Sequence, residues 1–369
     1  MSTKHLEDAL QTFLTIESIA AKPSQLRRAI NFVADYIASQ DPRVTIERFS
    51  KNGKPSILAY KGAARPKNFA VLLNGHVDVV PGTPKQFKPK AQGDKLYGRG
   101  TLDMKGAVLV MSDVFCKLSQ VSAYPLGLQI VSDEEIGGAN GTKYQIEQGV
   151  QADMVICGEY SPYASICNES RGICQAQVTF RGKTAHSAYP WDGVNAAVCA
   201  SEYITKLLAR YPVPTTQSWV TTANVSSINT PSTTINRVPD SATIQLDIRY
   251  VPADKTFARM ESATAFLRSI TTAEKEIAIS MFEPAHFVEQ THPLVKQLAT
   301  ALSKTTGKKT IFVQKPGAAD ARFYSSLGTP APILGLQGEG LHGDNEYVEL
   351  SSLASYHQTL TTFLNTLKI

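Results

Sequence analysis

Four acidic residues stand just after short apolar segments in the first half of this chain. They are Asp78, Glu134, Glu135 and Glu159, and the segments that precede them are 69–73, 126–131 and 154–157. Apolar runs of this length, bounded by turn-forming residues, are typical of buried strands. In open α/β sheets, ligand sites lie just beyond the carboxyl ends of the strands. The pattern therefore predicts an α/β fold that gathers these carboxylates at one edge of a sheet.

Two histidines and a fifth acid extend the pattern. His76 lies two residues before Asp78, and residues i and i+2 of an extended segment point to the same side. We therefore expect the Asp78 carboxylate to orient the His76 ring, as carboxylates commonly do for metal-binding histidines. Asp103 precedes a predicted helix that begins at Gly106, and His342 lies in a glycine-rich segment near the C-terminus.

The chemistry of this set predicts a metal centre. Imidazoles and carboxylates without a thiolate suit a borderline hydrolytic metal such as Zn²⁺, and differ from the cysteine-rich structural zinc sites. The five acids also exceed what one ion needs. Two ions roughly 3.5–4 Å apart, bridged by one carboxylate and one water, use such a set economically.

Three specific motifs resemble one family of metallohydrolases. They are GHVDVVP at 75–81, LYGRGTLDMKG at 96–106 and DEEIGG at 133–138. The family is that of acetylornithine deacetylase, succinyl-diaminopimelate desuccinylase, aminoacylase and glutamate carboxypeptidase. The resemblance extends along nearly the whole chain and includes the segment around His342.

The resemblance implies that each chain binds two Zn²⁺ ions, and that Co²⁺ can replace Zn²⁺. His76 and Glu159 are expected to bind one ion. Glu135 and His342 are expected to bind the other, with Asp103 bridging the two.

The resemblance also implies three catalytic roles. Glu134 is expected to be the general base that activates a metal-bridging hydroxide for attack on an amide carbonyl. Asp78 is expected to support His76. His186 is expected to donate a hydrogen bond to the oxyanion from the lid of a partner subunit, and the alternative is a surface histidine at a turn.

Substrate contacts follow from the desuccinylase-like branch of the family. The matching positions are Arg171, Asn236, Arg249, Gly317, Asp320 and Arg322. Arginine suits bidentate carboxylate binding, although a structural ion pair is the alternative for each arginine. The segment 83–89 is shorter than in the family and lacks tryptophan, and Tyr160 replaces the more usual small residue or proline. Both departures border the substrate pocket, so no exact substrate is carried over.

The order of predicted elements indicates an α/β sandwich interrupted by an α+β insertion. Predicted strands are 57–60, 69–73, 126–131, 154–156, 175–180, 219–228, 243–249, 277–282, 310–313 and 333–336. Predicted helices are 24–39, 106–118, 141–148, 195–208, 256–270, 294–305 and 353–367. With the resemblance, this indicates a zinc-dependent exopeptidase-like α/β/α catalytic domain at 1–173 and 285–369. The insertion at 174–284 is expected to be a lid and dimerisation domain.

Composition restricts the partners and the location. A net charge of +5 without a Lys/Arg-rich run argues against nucleic acid. The five cysteines form no CxxC pair, which favours free thiols in a reducing cytoplasm. No signal peptide is evident, and no run approaches the roughly 20 apolar residues of a membrane span.

The sequence thus predicts a cytoplasmic, homodimeric enzyme that hydrolyses the amide bond of an N-acyl amino acid, as deacetylases and desuccinylases do. The first alternative is an exopeptidase, a dipeptidase or carboxypeptidase, that uses the same dizinc site. The second is a non-catalytic, metal-dependent binding protein. The presence of Glu134 argues against the second, because binding needs the ligands but not the base.

Overall fold

The computed structural model describes residues 4–368, which form two compact units. Unit 1 comprises the residues up to Asn168, the segment Phe287–Val313 and the residues from Ala319 onward. Unit 2 comprises Glu169–His286 and Gln314–Ala318. Unit 2 is therefore an insertion in the sequence of unit 1.

Helices and groups of consecutive strands follow one another along the chain. The helices are α1 (Lys4–Leu14), α2 (Pro23–Gln40), α3 (Gly106–Ser119), α4 (Thr142–Glu147), α5 (Ala196–Arg210), α6 (Met260–Ser269), α7 (Pro293–Thr306), α8 (Ala321–Ser325) and α9 (Leu350–Thr366). The strands up to residue 181 are β1 (Val44–Lys51), β2 (Lys54–Lys61), β3 (Val71–His76), β4 (Lys90–Gln92), β5 (Lys95–Tyr97), β6 (Leu126–Val131), β7 (Val155–Cys157), β8 (Ser165–Ser170) and β9 (Gly172–Arg181). The later strands are β10 (Thr222–Asn229), β11 (Ser241–Tyr250), β12 (Lys275–Glu283), β13 (His286–Phe287), β14 (Ile311–Lys315), β15 (Gly338–Glu339) and β16 (Tyr347–Glu349).

A five-stranded sheet in the order β1-β2-β6-β3-β7 organises unit 1. β3 runs parallel to β6 and β7, while β2 pairs antiparallel with β1 and β6. Successive residues of β3 face opposite sides, since Val71 and Leu73 enter one hydrophobic core and Leu72 another. Both faces of the sheet are thus covered, which explains why β3 and β6 are buried at every position.

A small second sheet in the order β15-β16-β5-β4 also belongs to unit 1. Its central pairing places Tyr347 of β16 opposite Tyr97 of β5. The connection between β15 and β16 contains His342, and the chain after β5 leads to Asp103. Two loops that are distant in sequence therefore start from neighbouring strands.

Unit 2 has its own antiparallel sheet in the order β10-β11-β9-β12. Along β9 the side chains alternate between buried and more exposed positions, as expected when one face packs on a core. α5 and α6 supply Tyr203 and Leu267 to that core, where the Tyr203 ring meets Phe180 at a centroid distance of 5.4 Å. Unit 2 is therefore an α+β unit with a separate hydrophobic core.

The predicted fold class is confirmed, and one predicted strand is wrong. Residues 333–336 form no strand, and only Ile333 makes isolated bridges, to Cys157 and Cys167. Pro330 and Pro332 precede it and lack the N–H group that a regular ladder needs. Unit 2 begins five residues before the predicted boundary at 174 and adds Gln314–Ala318. The domain assignment of 174–284 as a lid that dimerises stays a prediction.

The structure also bears on the predicted free thiols and on membrane-spanning helices. All five cysteines are free thiols, and Cys199 is the most accessible of them. Within residues 4–368, none of the helices has both the length and the apolar character of a membrane span.

Candidate metal centre

Three strand ends in unit 1 supply the first residues of the site. β3 ends at His76, Glu159 lies two residues beyond β7, and Glu135 lies in the turn Glu134–Ile136 that follows β6. Because β3 is parallel to both neighbours, the carboxyl ends of these strands meet at one edge of the sheet. The structure therefore brings together acids that are far apart in the sequence.

The buried ring of His76 is oriented by its main-chain surroundings. Its Nδ1 lies 2.9 Å from the main-chain oxygen of Asp78, and a carbonyl oxygen can only accept, so Nδ1 carries the hydrogen. Nε2 lies 3.1 Å from Oδ1 of Asp103 and 3.2 Å from Oε1 of Glu159. In the neutral ring, a lone pair thus faces two carboxylate oxygens, which is an arrangement suited to a cation between them.

Asp103 joins two groups of possible ligands. Its Oδ2 lies 3.0 Å from Nε2 of His342, while Oδ1 faces His76. Nε2 of His342 also lies 3.3 Å from Oε2 of Glu135. The two groups are His76–Asp103–Glu159 and Asp103–Glu135–His342, and within each the possible ligand atoms lie within 4.8 Å of one another.

Donor type and spacing both fit divalent zinc. Two ligand atoms at about 2.0–2.1 Å from a tetrahedral zinc ion are roughly 3.3 Å apart. The nitrogen–oxygen distances in the two groups are 3.0, 3.1, 3.2 and 3.3 Å. Oε1 of Glu135 is buried without a hydrogen-bond partner, which a cation would satisfy. Among residues 4–368, no other group of this kind occurs.

The electrostatics of the site reflect the crowding of buried acids. Burial raises the pKa of Glu134 well above its ordinary value and also raises that of Glu135. Hydrogen bonds to Asp103 and Glu135 raise the pKa of His342 to about 10. Burial opposes a charge on His76, yet hydrogen bonds to neighbouring carboxylates raise its pKa well above the ordinary value. A divalent cation would offset this concentration of negative charge.

Asp78 contacts both His76 and the turn that carries Glu134 and Glu135. Its Oδ1 and Oδ2 accept hydrogen bonds from the main-chain N–H groups of Glu134 and Glu135, at 3.3 Å and 3.0 Å. The Asp78 carboxylate lies 3.4 Å from Nδ1 of His76. The main-chain oxygen of Asp78 lies closer to the same nitrogen, at 2.9 Å. Of these contacts, only the one with His76 could be predicted from the sequence. Asp78 fixes the turn relative to the end of β3.

Glu346 is a site residue that the sequence analysis missed. Its Oε1 accepts hydrogen bonds from the main-chain N–H groups of residues 100, 102 and 103, at 2.9, 3.0 and 3.2 Å. Its Oε2 accepts from Arg99 at 2.6 Å, and Arg99 also donates to the main-chain oxygen of His342 at 3.2 Å. The pair therefore fixes the loops of Asp103 and His342. The available signal was a lone acid placed directly before the apolar residues of β16.

Two of the predicted substrate residues are buried beside Glu134. Asp320 and Arg322 are each 2% exposed. Asp320 accepts a hydrogen bond from the Thr142 hydroxyl at 2.5 Å, and Nη1 of Arg322 lies 3.9 Å from Oε1 of Glu134. Gly317 belongs to unit 2. Contact of these residues with substrate stays a prediction.

The remaining predicted substrate residues lie in unit 2. Arg249 makes a bidentate ion pair with Asp247 at 2.6 and 3.1 Å, which is the structural alternative considered for it. Arg171 donates to the main-chain oxygen of Ser218 at 2.6 Å. Asn236 is exposed. Their substrate roles also stay predictions.

His186 is an exposed residue of unit 2 with a local hydrogen bond that selects the tautomer of its neutral ring. Its Nδ1 accepts a hydrogen bond from the main-chain N–H of Ala188 at 3.1 Å. In the neutral ring the hydrogen therefore lies on Nε2, which can donate. This is the state that an oxyanion donor requires.

Comparison with known proteins places this geometry in a family. The family model described as Peptidase family M20/M25/M40 matches residues 72–366. The chain is 29% identical over 344 residues to succinyl-diaminopimelate desuccinylase 1 of Alteromonas mediterranea, with 86% of each chain covered.

Solved structures show the same fold. Aminopeptidase PepT from Bacillus cereus superposes with a TM-score of 0.78 at 18% identity, covering 99% of this chain and 98% of that chain. The YXEP protein of Bacillus subtilis, a dinuclear metal binding peptidase from the M20 family, gives a TM-score of 0.70 at 14% identity, with 98% and 97% covered. The expectation of an enzyme acting on amide or peptide bonds is confirmed. Since the family model covers most of its length, the chain belongs to peptidase family M20/M25/M40.

Proposed function

We propose that this protein hydrolyses the amide bond of an N-acyl amino acid, as a deacylase of the deacetylase or desuccinylase type. The observation that carries the proposal is that Glu134 belongs to neither ligand group, although it directly precedes the candidate ligand Glu135 in the same turn. Binding a metal requires only ligands, whereas hydrolysis also requires a base. The relative named succinyl-diaminopimelate desuccinylase 1, aligned over 86% of the chain, supports an acylated amino acid as substrate.

The metal ions of the proposal are two Zn²⁺, for which Co²⁺ would substitute. His76 and Glu159 would hold one ion. Glu135 and His342 would hold the other, and Asp103 would contribute to both. When bound, zinc polarises a carbonyl oxygen and lowers the pKa of water toward neutrality.

Glu134 is the residue that moves the proton. One of its carboxylate oxygens would accept a proton from the attacking water as the new carbon–oxygen bond forms. The same proton would then pass to the amine nitrogen as the carbon–nitrogen bond breaks. The products are a free amine and a carboxylic acid, which ionises at neutral pH. The side chain of Glu134 is 12% exposed, so it borders the space that a substrate would enter.

Residues of unit 2 complete the proposal. His186 would donate its Nε2 hydrogen to the oxyanion, in keeping with the tautomer set by Ala188. Arg171, Asn236 and Arg249 would bind carboxylates of the substrate, together with Gly317. A homodimer formed through the predicted lid, in the cytoplasm, belongs to the same proposal.

An exopeptidase is the alternative function, and it would use the same ligands and the same base. The two differ in substrate, since a peptidase must accept a second amino-acid residue where the deacylase accepts an acyl group. Acetyl-, succinyl- and formyl-amino acids should therefore be tested beside dipeptides on zinc-loaded protein, with Glu134→Gln as the control.

The expected result is turnover of at least one N-acyl amino acid, with a higher kcat/KM than for any dipeptide and with loss in the control. Preferential turnover of dipeptides would support the exopeptidase. Activity that survives in Glu134→Gln would contradict the mechanism.

A further inference from the structure

The turn that carries Glu134 is held at both ends. At its start, Asp78 accepts the main-chain hydrogen bonds of Glu134 and Glu135. At its end, the main-chain oxygen of Gly137 accepts a hydrogen bond from Nη2 of Arg322 at 2.7 Å. The Gly137 N–H in turn donates to the main-chain oxygen of Glu134 at 2.8 Å. Arg322 is therefore connected to Glu134 through a single turn of main chain.

Asp320 packs directly on the same turn. A Cβ atom at Gly138 would lie 2.1 Å from Oδ1 of Asp320, so only glycine permits this approach. Gly138 also has a φ of +65°, which favours glycine. The other carboxylate oxygen of Asp320 accepts from Thr142, as described above. Asp320 is thereby fixed between α4 and the turn.

The guanidinium of Arg322 lies between two carboxylates. Nη1 is 3.7 Å from Oδ1 of Asp320 and 3.9 Å from Oε1 of Glu134. Two buried acids near one another repel, and a buried cation between them offsets the repulsion. At 2% exposure, Arg322 offers little surface to a substrate carboxylate.

We propose that Arg322 is a positioning residue for Glu134, and that Asp320 holds Arg322 in place. This inference rests on the proposed role of Glu134 as general base. It replaces the substrate contact that the family resemblance predicts for both residues. Arg322 acts on the reaction by fixing the turn and the carboxylate of Glu134, and it does not touch the substrate.

Kinetics of Arg322→Lys and Arg322→Met can test the inference on zinc-loaded enzyme. Lysine keeps the charge but lacks the planar fork that reaches Gly137 and both carboxylates. We expect kcat to fall about 10- to 100-fold, more for methionine than for lysine, as is usual when a supporting contact is lost. KM should change little for succinyl and acetyl substrates alike, and zinc content should stay at the wild-type value. A rise in KM confined to substrates with a second carboxylate would overturn the proposal in favour of substrate contact.

A double-mutant cycle gives the more specific test. If Arg322 acts through Glu134, Arg322→Lys should change the residual rate of Glu134→Gln by less than about twofold. Losses that multiply in the double variant would overturn the proposal. Arg65→Lys is a matched control, because Arg65 pairs with Glu47 at 3.2 Å in another part of unit 1.

Crystal structures can test this inference even if the proposed function is wrong. If wild-type enzyme turns over no acyl amino acid or dipeptide, the proposed function fails, and the position of Glu134 can still be compared in zinc-loaded wild type and Arg322→Lys. A displaced Glu134 carboxylate, with Glu135 and Asp103 unmoved, supports positioning by Arg322. An unmoved Glu134 overturns it.

Discussion

At the scale of single residues, the turn after β6 gives two adjacent glutamates different surroundings. Asp78 holds the main-chain N–H groups of both, so their side chains leave the turn in fixed and different directions. Oε2 of Glu135 lies 3.3 Å from Nε2 of His342, whereas Oε1 of Glu134 lies 3.9 Å from Nη1 of Arg322. One turn can therefore supply both a ligand and a base.

Substitution of each glutamate by glutamine should separate these roles. Glu134→Gln should keep both metal ions and lose several orders of magnitude in kcat, because the attacking water loses its proton acceptor. Glu135→Gln should instead weaken the binding of one ion, since an amide is a poorer zinc ligand than a carboxylate. Metal analysis after dialysis against a weak chelator, combined with steady-state kinetics, measures both effects. If the two variants exchange phenotypes, the assignment of base and ligand is wrong.

Some residues of this centre could be predicted from the sequence and others could not. His76 and Asp103 could be proposed as ligands because each stands in a specific motif, and Glu159 because it follows an apolar strand. The structure brings the three together. Glu346 could not, because its partners, Arg99 and the main-chain N–H groups of residues 100, 102 and 103, are more than 240 residues away in the sequence. The contacts of Arg322 with Gly137 and Asp320 could not be predicted, since charge alone does not show whether a side chain is buried.

At the scale of elements, one carboxylate connects four helices of unit 1. Asp113 on α3 accepts hydrogen bonds from His5 on α1 at 3.2 Å and from Tyr36 on α2 at 3.0 Å. It also contacts His357 on α9 at 2.9 Å and Lys117 on its own helix at 2.6 Å. Burial alone would raise the pKa of Asp113, but these hydrogen bonds lower it well below its usual range.

Asp113→Asn should therefore destabilise the protein in a pH-dependent way. Because the folded-state pKa of Asp113 is depressed, its stabilising contribution is present above the unfolded pKa of about 3.9 and is lost as pH falls through the folded value. The side chains of Lys117 and His5 are 43% and 48% exposed, so the variant leaves neither as a buried charge. We expect a loss of about 1.5–3 kcal/mol at pH 7, as for a hydrogen bond to a charged group.

Urea unfolding at pH 7, 5 and 3 measures the difference between wild type and variant. The difference should be full above about pH 5 and shrink below about pH 4. Asp35→Asn, at an exposed position on α2, is the control and should change stability little. A difference that stays constant down to pH 3 would contradict the role of the Asp113 charge.

Helices and strands could be predicted where a segment was long enough to show its hydrophobic pattern. β6 was predicted at its observed bounds, 126–131, and α3 within one residue at its end. β5 and β16 were missed because three residues are too few to display an alternating pattern. These short strands position Asp103 and His342, so part of the centre depends on long-range pairing that local sequence does not record.

At the scale of the whole molecule, the candidate ligands and the predicted lid residues fall in different units. The five candidate ligands belong to unit 1, whereas His186 and Arg249 belong to unit 2, which has its own core. Metal binding should therefore stabilise unit 1 directly. The division also means that ligands and lid residues can be altered independently.

Zinc should bind with a stoichiometry of two per chain at saturation, and chelation should abolish activity that Zn²⁺ or Co²⁺ restores. Each site contributes about 2.7 kcal/mol of stability when free zinc exceeds its Kd 100-fold, so the unfolding midpoint should rise with zinc concentration. Hydrogen exchange should show added protection around residues 76–78, 103 and 342 of unit 1. Full activity of metal-free protein, or one zinc per chain, would contradict the dinuclear proposal.

The last prediction concerns His186 and the proposed dimer. His186→Ala should lower kcat far more than metal content, because it removes a hydrogen-bond donor and no ligand. One oxyanion donor is worth roughly 2.7–4 kcal/mol, or about 100- to 1000-fold in kcat. In this proposal the donor comes from the partner subunit. His186→Ala and Glu134→Gln protein should then complement each other when mixed under conditions that exchange subunits.

In such a heterodimer, one active site keeps its own Glu134 and receives an intact His186 from the Glu134→Gln chain. Up to half of the sites in each heterodimer would be complete, so activity should recover to a fraction of the wild-type value. Subunit exchange must be verified independently, for example by energy transfer between labelled chains, and each variant mixed with itself is the control. Each chain carries one of the two substitutions, so a site built from a single chain stays defective. Recovery can therefore arise only if a site draws on both chains. Proven exchange without recovery would place His186 in the site of its own subunit, or outside catalysis.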